Sequence, residues 1–513
     1  MTATAQAAPA VEVREAPDPH LERQVGVGAA WKLLGQAGIQ LIRLVSVAVL
    51  ARLLLPADYG TAAIAIAIAT FAPTVADMGM GAALVQAPSA TRIARSTVFW
   101  ATLAFGVALA ALVALAAGPV GDFLGDPRIG TIVAVGGSTL AICALSSTNQ
   151  ALYTREMRFR AVELRYWVAL VAGSVVAVAA AILGAGAWAL VLQQLVLLAT
   201  FAAALWWRAG WRPTLEFSMP VFRELWTFAV RVAGGRWARL AELLVLTLLV
   251  GRLVSVPALG AWSFAMSTVI LPLTVIVIPI AEVLFSAFSR LRGQRERIAA
   301  LWLSSIRFLA AVILPLLVGL VVVAPDLIPL AFGAHWRVAV PVIQILSVYV
   351  IIRSLQSWSS IVMDAVGRPQ VTLWTQLAAL CLTPIGVVVG SRWSIEGVAF
   401  GFVLSQLFAV EIPLLIIVLS ELHVSPATLA ARLAGVAAAT VVMACGCLLY
   451  REALSQLGAG MAPRLAATVA AGALIYAVAL WLFAPDIWRR ALLLARGALG
   501  KLPGPGRRRV TAV

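Results

Sequence analysis

Six arginines interrupt otherwise apolar stretches of this chain: Arg43, Arg231, Arg236, Arg239, Arg307 and Arg353. A guanidinium stays ionised in every environment, and its planar fork matches the oxygens of a phosphate. Holding one in hydrocarbon costs about 2.5–3.5 kcal/mol on insertion scales, so each must face a partner, a cavity or a ligand. On the first apolar stretch Lys32, Gln36, Gln40, Arg43 and Ser46 fall within about 120° of one helical face. Arg236, Arg239 and Thr247 make a comparable stripe on the seventh. Acids are too few to neutralise all of these cations, so the two stripes read as the walls of a cationic cleft for an anionic group. Its candidate binding residues are Gln36, Gln40, Arg43, Arg236, Arg239 and Arg353. Asp77 and Glu282 are candidates to carry a proton or Na⁺, or to act as counter-ions to the arginines. Blander readings stand beside these. Arg239 and Glu242 are three apart and can pair on one helix face. Arg231 and Arg307 sit near the ends of their stretches and can reach headgroups, and the tryptophans, Trp100, Trp188, Trp206 and Trp207 among them, read as an interfacial belt. Asp364 can cap or pair near Arg353.

The elements that must position these side chains are membrane helices. Hydrophobic residues make up 62% of the 513 and charged residues only 12%, against about 25% charged in soluble domains. Apolar runs long enough to cross about 30 Å of hydrocarbon recur along the whole chain. They are continuous rather than alternating, which excludes a β-barrel and leaves helices. The fold expected is therefore all-α and integral to a membrane. About fourteen transmembrane helices fall near 26–52, 60–85, 97–118, 130–152, 166–183, 187–206, 224–251, 260–285, 299–323, 340–363, 371–389, 395–418, 427–450 and 465–483. Residues 1–24 read as a disordered tail and 485–513 as a basic one.

Most of the 38 Lys and Arg fall in the tails and in alternate connections. The opposite connections hold Arg52, Arg128, Arg252, Arg337, Arg392, Arg451 and Arg464. By the positive-inside rule both termini are cytoplasmic. The net charge of +16 is scattered over short loops facing anionic lipid, which argues against nucleic acid as a partner. Cys143, Cys381, Cys445 and Cys447 have no metal-ligand or disulfide spacing. No metalloprotease, nucleophile-elbow or nucleotide-binding motif occurs, and no loop has room for a catalytic domain. The reading is a non-enzyme with no cofactor and no metal.

The chain also repeats. Residues 50–65, LARLLLPADYGTAAIA, align with 250–265, VGRLVSVPALGAWSFA, at an offset of 200, so that Arg52 meets Arg252, Gly60 meets Gly260 and Ala65 meets Ala265. Six helices separate the copies, which makes them parallel repeats about an axis along the membrane normal, with a site expected between two lobes. The organisation expected is a six-helix lobe over 25–206, a cytoplasmic linker over 207–223, a second six-helix lobe over 224–420, and two extra helices over 421–484.

LARLLLPADYG (50–60) followed by FAPTVADMGMGAALVQ (71–86) resembles the opening of the Wzx-type polysaccharide flippases, in the branch that includes the colanic-acid exporters. NQALYTREMRFRAVELRYW (149–167), GAWALVLQQL (186–195), EVLFSAFSRLRGQRERI (282–298) and FGAHWRVAVPVIQILSVYVIIRSLQSW (332–358), with DAVGRP (364–369), agree in order and spacing, although Ser286 stands where the branch usually has proline. The similarity covers about 25–420. It implies the fold of multidrug exporters (MATE) and MurJ-type lipid II flippases, a place in the bacterial cytoplasmic membrane, and transport of polyprenyl-pyrophosphate-linked oligosaccharide for exopolysaccharide, O-antigen or capsule synthesis. On that reading the cationic cleft takes the pyrophosphate, and polysaccharide polymerase and glycosyltransferases are partners. The alternatives are a MATE-like small-molecule antiporter, for which the arginine excess is unfavourable, a membrane glycosyltransferase or polymer ligase, which would need an outer catalytic loop, and a scaffold without transport.

Overall fold

Segments this apolar satisfy their backbone internally, and proline, glycine and capping hydroxyls set where each helix begins and ends. The computed structural model describes residues 38–489 other than 88, 208, 278, 279, 281–283, 285–287, 289, 290, 292, 293 and 367; of Arg231, Arg236 and Asp364 it describes only the backbone. Gln36 and Glu282 lie outside the described residues. Helix α1 covers 38–53. Next come α2 (Pro56–Ala76), α3 (Met80–Gln86), α4 (Arg92–Leu124), α5 (Pro127–Arg155), α6 (Phe159–Ile182) and α7 (Ala187–Trp206). The second half holds α8 (Met219–Leu253), α9 (Val256–Pro272), α10 (Arg295–Phe332), α11 (Val340–Val366), α12 (Pro369–Gly390), α13 (Ile395–Glu421), α14 (Pro426–Gln456) and α15 (Met461–Phe483). Among the described residues there is no strand. The starts follow the expected chemistry: Thr91 accepts from the Ala94 amide, Ser255 from Ala258 and Ser425 from Thr428, and Pro56, Pro127 and Pro426 occupy the first helical position.

Among the described residues, each expected apolar segment overlaps a helix. Length and composition qualify twelve as spans, with α2 and α3 counted as one. The other two are α1, described only from residue 38, and α8, which is 35 residues long but carries Arg223, Glu224, Arg239 and Glu242 along its length.

Within the first half α2 packs on α5 and α7, α4 on α5, and α6 on α7; within the second, α8 packs on α12, α10 and α9 on α11, and α12 on α13. The halves meet where α2 lies against α9, with α8 reaching back to α2, α3 and α4. At this seam the repeat becomes spatial. A β-carbon added to Gly60 would stand 2.7 Å from the carbonyl carbon of Val256, and one added to Gly260 would stand 2.7 Å from that of Pro56. Val256 is Pro56 shifted by 200, as Gly260 is Gly60, so one contact is made twice about a local two-fold axis.

The same end is closed by further exchanges between halves. Arg52 donates from Nε to the Ala331 carbonyl (2.7 Å) and from Nη2 to that of Leu330 (2.8 Å), both at the end of α10. Its repeat mate Arg252 lies 5.9 Å from the ring centroid of Phe123, at the end of α4. The Trp336 indole donates to the Ala51 carbonyl at 2.7 Å, with His335 Nε2 3.0 Å from the same oxygen. Tyr59, Phe264, Phe332 and Trp336 stack edge to face and face to face around this seam, with centroids 4.0–5.0 Å apart for the pairs Tyr59–Trp336, Phe264–Trp336 and Phe264–Phe332. Trp336, Trp302 and Trp358 are fully buried, so the interfacial-belt reading does not extend to them. A helix C-terminus favours a cation at Arg52 and Arg252, but both side chains reach across to the opposite half.

The pair α14–α15 docks on α10 through charge. Asp326, buried in α10, pairs with Arg451 at 2.5 Å and with Arg464. Near the other end of α10 Arg307 makes a two-pronged bond to Asp486 at 2.6 and 2.8 Å. The headgroup reading of Arg307 is thereby corrected: its charge is met by a carboxylate of the same chain. Glu421 is similarly clasped by Arg295 and Arg368, each at 2.9 Å.

Candidate functional site

Directly below the Gly60–Gly260 crossing the two halves part around a cavity of about 380 Å³. One wall is α2, from Ala63 to Phe71. The others come from α8, α9, α11 and α13. The arrangement follows from helical spacing: Ala63, Ile66, Ala67 and Thr70 share the α2 face one turn beyond Gly60, and Ser263, Met266, Ser267 and Ile270 share the corresponding face of α9. Small residues at the crossing bring the helices together, and bulkier side chains beyond it hold them apart.

Most polar groups in the lining are already bonded locally. The Thr70, Thr247 and Ser267 hydroxyls each donate to a carbonyl of their own helix, at 2.7, 2.7 and 2.8 Å. Glu242 is buried; its Oε1 accepts from Thr383 at 3.1 Å and from the amide of Gln406. It has no cation within ion-pair distance among the described residues, so the Arg239–Glu242 pairing open to the sequence is not made. Arg353 sits 3.8 Å from Glu411, a long ion pair, with its guanidinium 6.0 Å from the Tyr349 ring centroid. Glu411 is placed by a π-turn, Leu407–Glu411, that follows directly on Gln406 in α13. Its backbone carbonyl accepts from Gln356 at 3.1 Å. Such turns widen a helix by one residue and are frequent at functional sites. Arg239, half-buried on α8, is repelled by Arg353 and attracted by Glu242 and Glu411, with no carboxylate within ion-pair distance among the described residues. The cavity therefore presents two guanidiniums, one without a close ion pair and one loosely paired, with the carboxylates of Glu242 and Glu411 nearby and a floor that is otherwise apolar or locally satisfied.

Of the candidates read from sequence, Arg239 and Arg353 line this cavity. Arg43 and Gln40 do not. Arg43 is exposed on α1 and donates to the Tyr166 hydroxyl of α6 at 2.6 Å, and Gln40 is buried in the same helix. Arg236 lies on α8 one turn before Arg239, with only its backbone described. Asp77 ends α2 and accepts the Gly81 amide on both oxygens, at 3.0 and 3.1 Å, across the turn that starts α3. It thus holds a short helix in place and is not among the cavity-lining residues. The sequence offers Glu242 only as a partner for Arg239 and does not single out Tyr349, Thr383, Gln406 or Glu411 by spacing. Gln406 and Glu411 could have been found by the rule that exposed Arg43: a carboxylate or amide inside an apolar span needs a reason to be there.

Comparison with known proteins adds the following. A sequence model of the family described as "Polysaccharide biosynthesis protein" matches residues 49–341. Among curated proteins the chain is similar to the teichuronic acid biosynthesis protein TuaB of Bacillus subtilis, 26% identical over 71% of this chain and 76% of that one. It is similar to the lipopolysaccharide biosynthesis protein WzxC of Escherichia coli, at 24% over 74% and 78%, and to the succinoglycan biosynthesis transport protein ExoT of Rhizobium meliloti, at 25% over 70% and 73%. Among solved structures the lipid II flippase MurJ in an inward closed conformation superposes with a TM-score of 0.71 over 90% of this chain and 99% of that one, at 12% identity. An inward-facing MATE multidrug transporter gives 0.55 over 78% and 96%, at 14%. The fold is that of the MurJ and MATE transporters.

Proposed function

The chain belongs to the polysaccharide biosynthesis protein family, and on that premise we propose that it flips a polyprenyl-pyrophosphate-linked oligosaccharide across the bacterial cytoplasmic membrane. The lobes 25–206 and 224–420 rock about the α2–α9 seam, presenting the cavity to one face and then to the other. Both termini and the 207–223 linker face the cytoplasm, in keeping with the asymmetry of Lys and Arg. Nothing is made or broken in the cycle. Glycosyltransferases build the lipid-linked glycan on the inner face, and a polymerase consumes it on the outer.

The observation that carries this reading is the unpaired Arg239 beside Arg353 in an interlobe cavity. An ionised donor left without a carboxylate in such a site is offset by the ligand it binds, and the forked guanidinium suits phosphate oxygens. At about 380 Å³ the cavity is of the size of a small-molecule site. It suits the pyrophosphate and its nearest sugar, with the polyprenyl tail left in the bilayer. A small-molecule antiporter for cationic compounds is disfavoured by the same two guanidiniums.

The test is to delete the protein, identify the lipid-linked glycan that accumulates, and complement with Arg239→Ala and Arg239→Lys. A charge-assisted hydrogen bond is worth about 1.5–3 kcal/mol, so Ala should cut flipping roughly ten- to a hundredfold at unchanged membrane abundance, with Lys partly restoring it. No glycan accumulating on deletion would defeat the flippase reading. Full export by the Ala variant would move the anion site elsewhere.

A further inference from the structure

A second cavity, of about 560 Å³, opens on the flank of the first half, away from the seam. It lies along one face of α6, where Ala161, Leu164, Arg165 and Val168 follow at helical spacing, with Ala204 of α7 beside them and Arg158 and Arg160 at its end. Its parts differ sharply. Leu164 and Val168 are 44% and 61% exposed, an apolar track open to the side of the bundle. The arginines gather at the start of the helix. Arg165 is fixed as part of the wall: it donates to the Ala204 carbonyl at 2.7 Å and to that of Ala161 at 2.8 Å, with its guanidinium 4.9 Å from the Tyr153 ring centroid. Arg158 lies over the same ring at 5.1 Å and touches Glu156 only at 3.5 Å, with both side chains more than half exposed. An exposed pair at that distance contributes little and is easily exchanged for another anion.

We propose that this flank binds an acidic glycerophospholipid, its phosphate on Arg158 and Arg160 and an acyl chain running over Leu164 and Val168. Two observations choose a lipid over a free phosphate. The track from Phe159 to Val168 runs about 13 Å along the helix, apolar for most of that length. It also passes the exposed Trp207, whose carbonyl accepts from Arg165 at 3.5 Å, and tryptophans gather at the edge of the hydrocarbon, where headgroups lie. Basic pockets between membrane helices on the cytoplasmic side bind acidic headgroups in just this way.

The full chain, purified in detergent, is titrated with phosphatidylglycerol, phosphatidylcholine or inorganic phosphate, and retained lipids are counted by native mass spectrometry. Phosphatidylglycerol should be retained in preference to phosphatidylcholine and should survive added phosphate. Arg158→Gln with Arg160→Gln should weaken its retention about thirtyfold, the factor for losing two basic groups beside an anionic headgroup. Val168→Trp, on an exposed position that leaves every charge in place, should weaken it too by filling the acyl track. Equal retention of the two lipids, or retention unmoved by both variants, overturns the proposal. Loss with the arginine variant alone, together with displacement by inorganic phosphate, also overturns it, because the site would then hold a phosphate and no lipid.

Discussion

The seam between α2 and α9 gives the sharpest prediction. Gly60→Ala places a β-carbon 2.7 Å from the Val256 carbonyl carbon, and Gly260→Ala places one 2.7 Å from that of Pro56. The carbonyl oxygens of the same two residues would lie closer still, and non-bonded carbon atoms in ordinary contact stand about 3.5–4.0 Å apart, so the helices must separate by more than about 1 Å. Both obstructing groups are backbone in the first turn of a helix, and no side-chain rotation relieves them. Overpacking of this kind costs about 1–3 kcal/mol. The cost falls on the state in which this end is shut, since it is the contact between halves that is lost. Each single variant should therefore lower the thermal stability of the purified protein and raise the labelling of a cysteine introduced beside the seam, at Thr61 for example, by a membrane-impermeant thiol reagent. The double variant is the more telling. A β-carbon on Gly260 would also lie 2.8 Å from the Gly60 amide nitrogen, so the two glycines share one crossing. Once the first alanine has parted the helices the second should cost far less, a non-additivity of order 1 kcal/mol. Strictly additive losses, or single variants with unchanged stability and labelling, would refute the two-fold seam as the closing contact.

Three further outcomes are expected. Asp326→Asn leaves Arg451 and Arg464 without their carboxylate; losing one partner of a buried pair costs about 3–5 kcal/mol, read as a large fall in unfolding temperature and proteolysis between α14 and α15, and an unchanged melting curve would show that this tie does not dock the helix pair. Glu242 is the carboxylate lining the cavity and so is placed to take up a proton or Na⁺ there. Glu242→Gln, which retains shape while removing charge, should abolish the response of proteoliposome flipping to a pH or Na⁺ gradient, whereas Asp77→Ala, which removes the acceptor of the Gly81 amide, should cost about 0.5–2 kcal/mol of stability and leave that response intact; the reverse pattern would make Asp77 the carrier. Tags at positions 2, 292 and 510 should report cytoplasm and tags near 124 and 457 the outside, and a periplasmic signal from 292 would overturn the topology.

The fold was legible because lipid leaves a chain few choices. Continuous apolar runs had to be helices, and glycine and proline at 56–60 and 256–260 marked equivalent turns even though little else in the two copies matches. The site was legible in kind but only partly in place. Helical spacing put Arg43 and Arg239 on polar stripes of repeat-related helices, yet α1 turns its arginine toward Tyr166 while α8 turns Arg239 into the cavity. Periodicity fixes which residues share a face, not which neighbour that face meets. The π-turn that brings Glu411 to Arg353 had no local signature, although Glu411 itself, a carboxylate within an apolar span, stands out in the sequence.

What separates a structural charge from a working one in this bundle is its partner. The cost of insertion is similar for every arginine in a span, so position in the sequence cannot rank them. In the folded chain Arg307 is matched in a two-pronged bond with Asp486, and Arg451 and Arg464 share Asp326. These contacts hold α14 and α15 against α10 and meet each of these charges with a carboxylate of the same chain. Arg353 is half-matched, at 3.8 Å from Glu411. Arg239 meets another cation, and the nearby carboxylate of Glu242 is engaged by Thr383 and Gln406 instead. The repulsion between the two guanidiniums is only partly offset by Glu242 and Glu411, which leaves room for an anion between them. On the proposed reading, an anionic substrate would recover the stability surrendered there on binding and complete the interlobe packing. An anionic head that satisfies both guanidiniums would draw α8 and α11 toward α2, and its departure would release them. That is the coupling between occupancy and lobe movement that an alternating-access carrier requires.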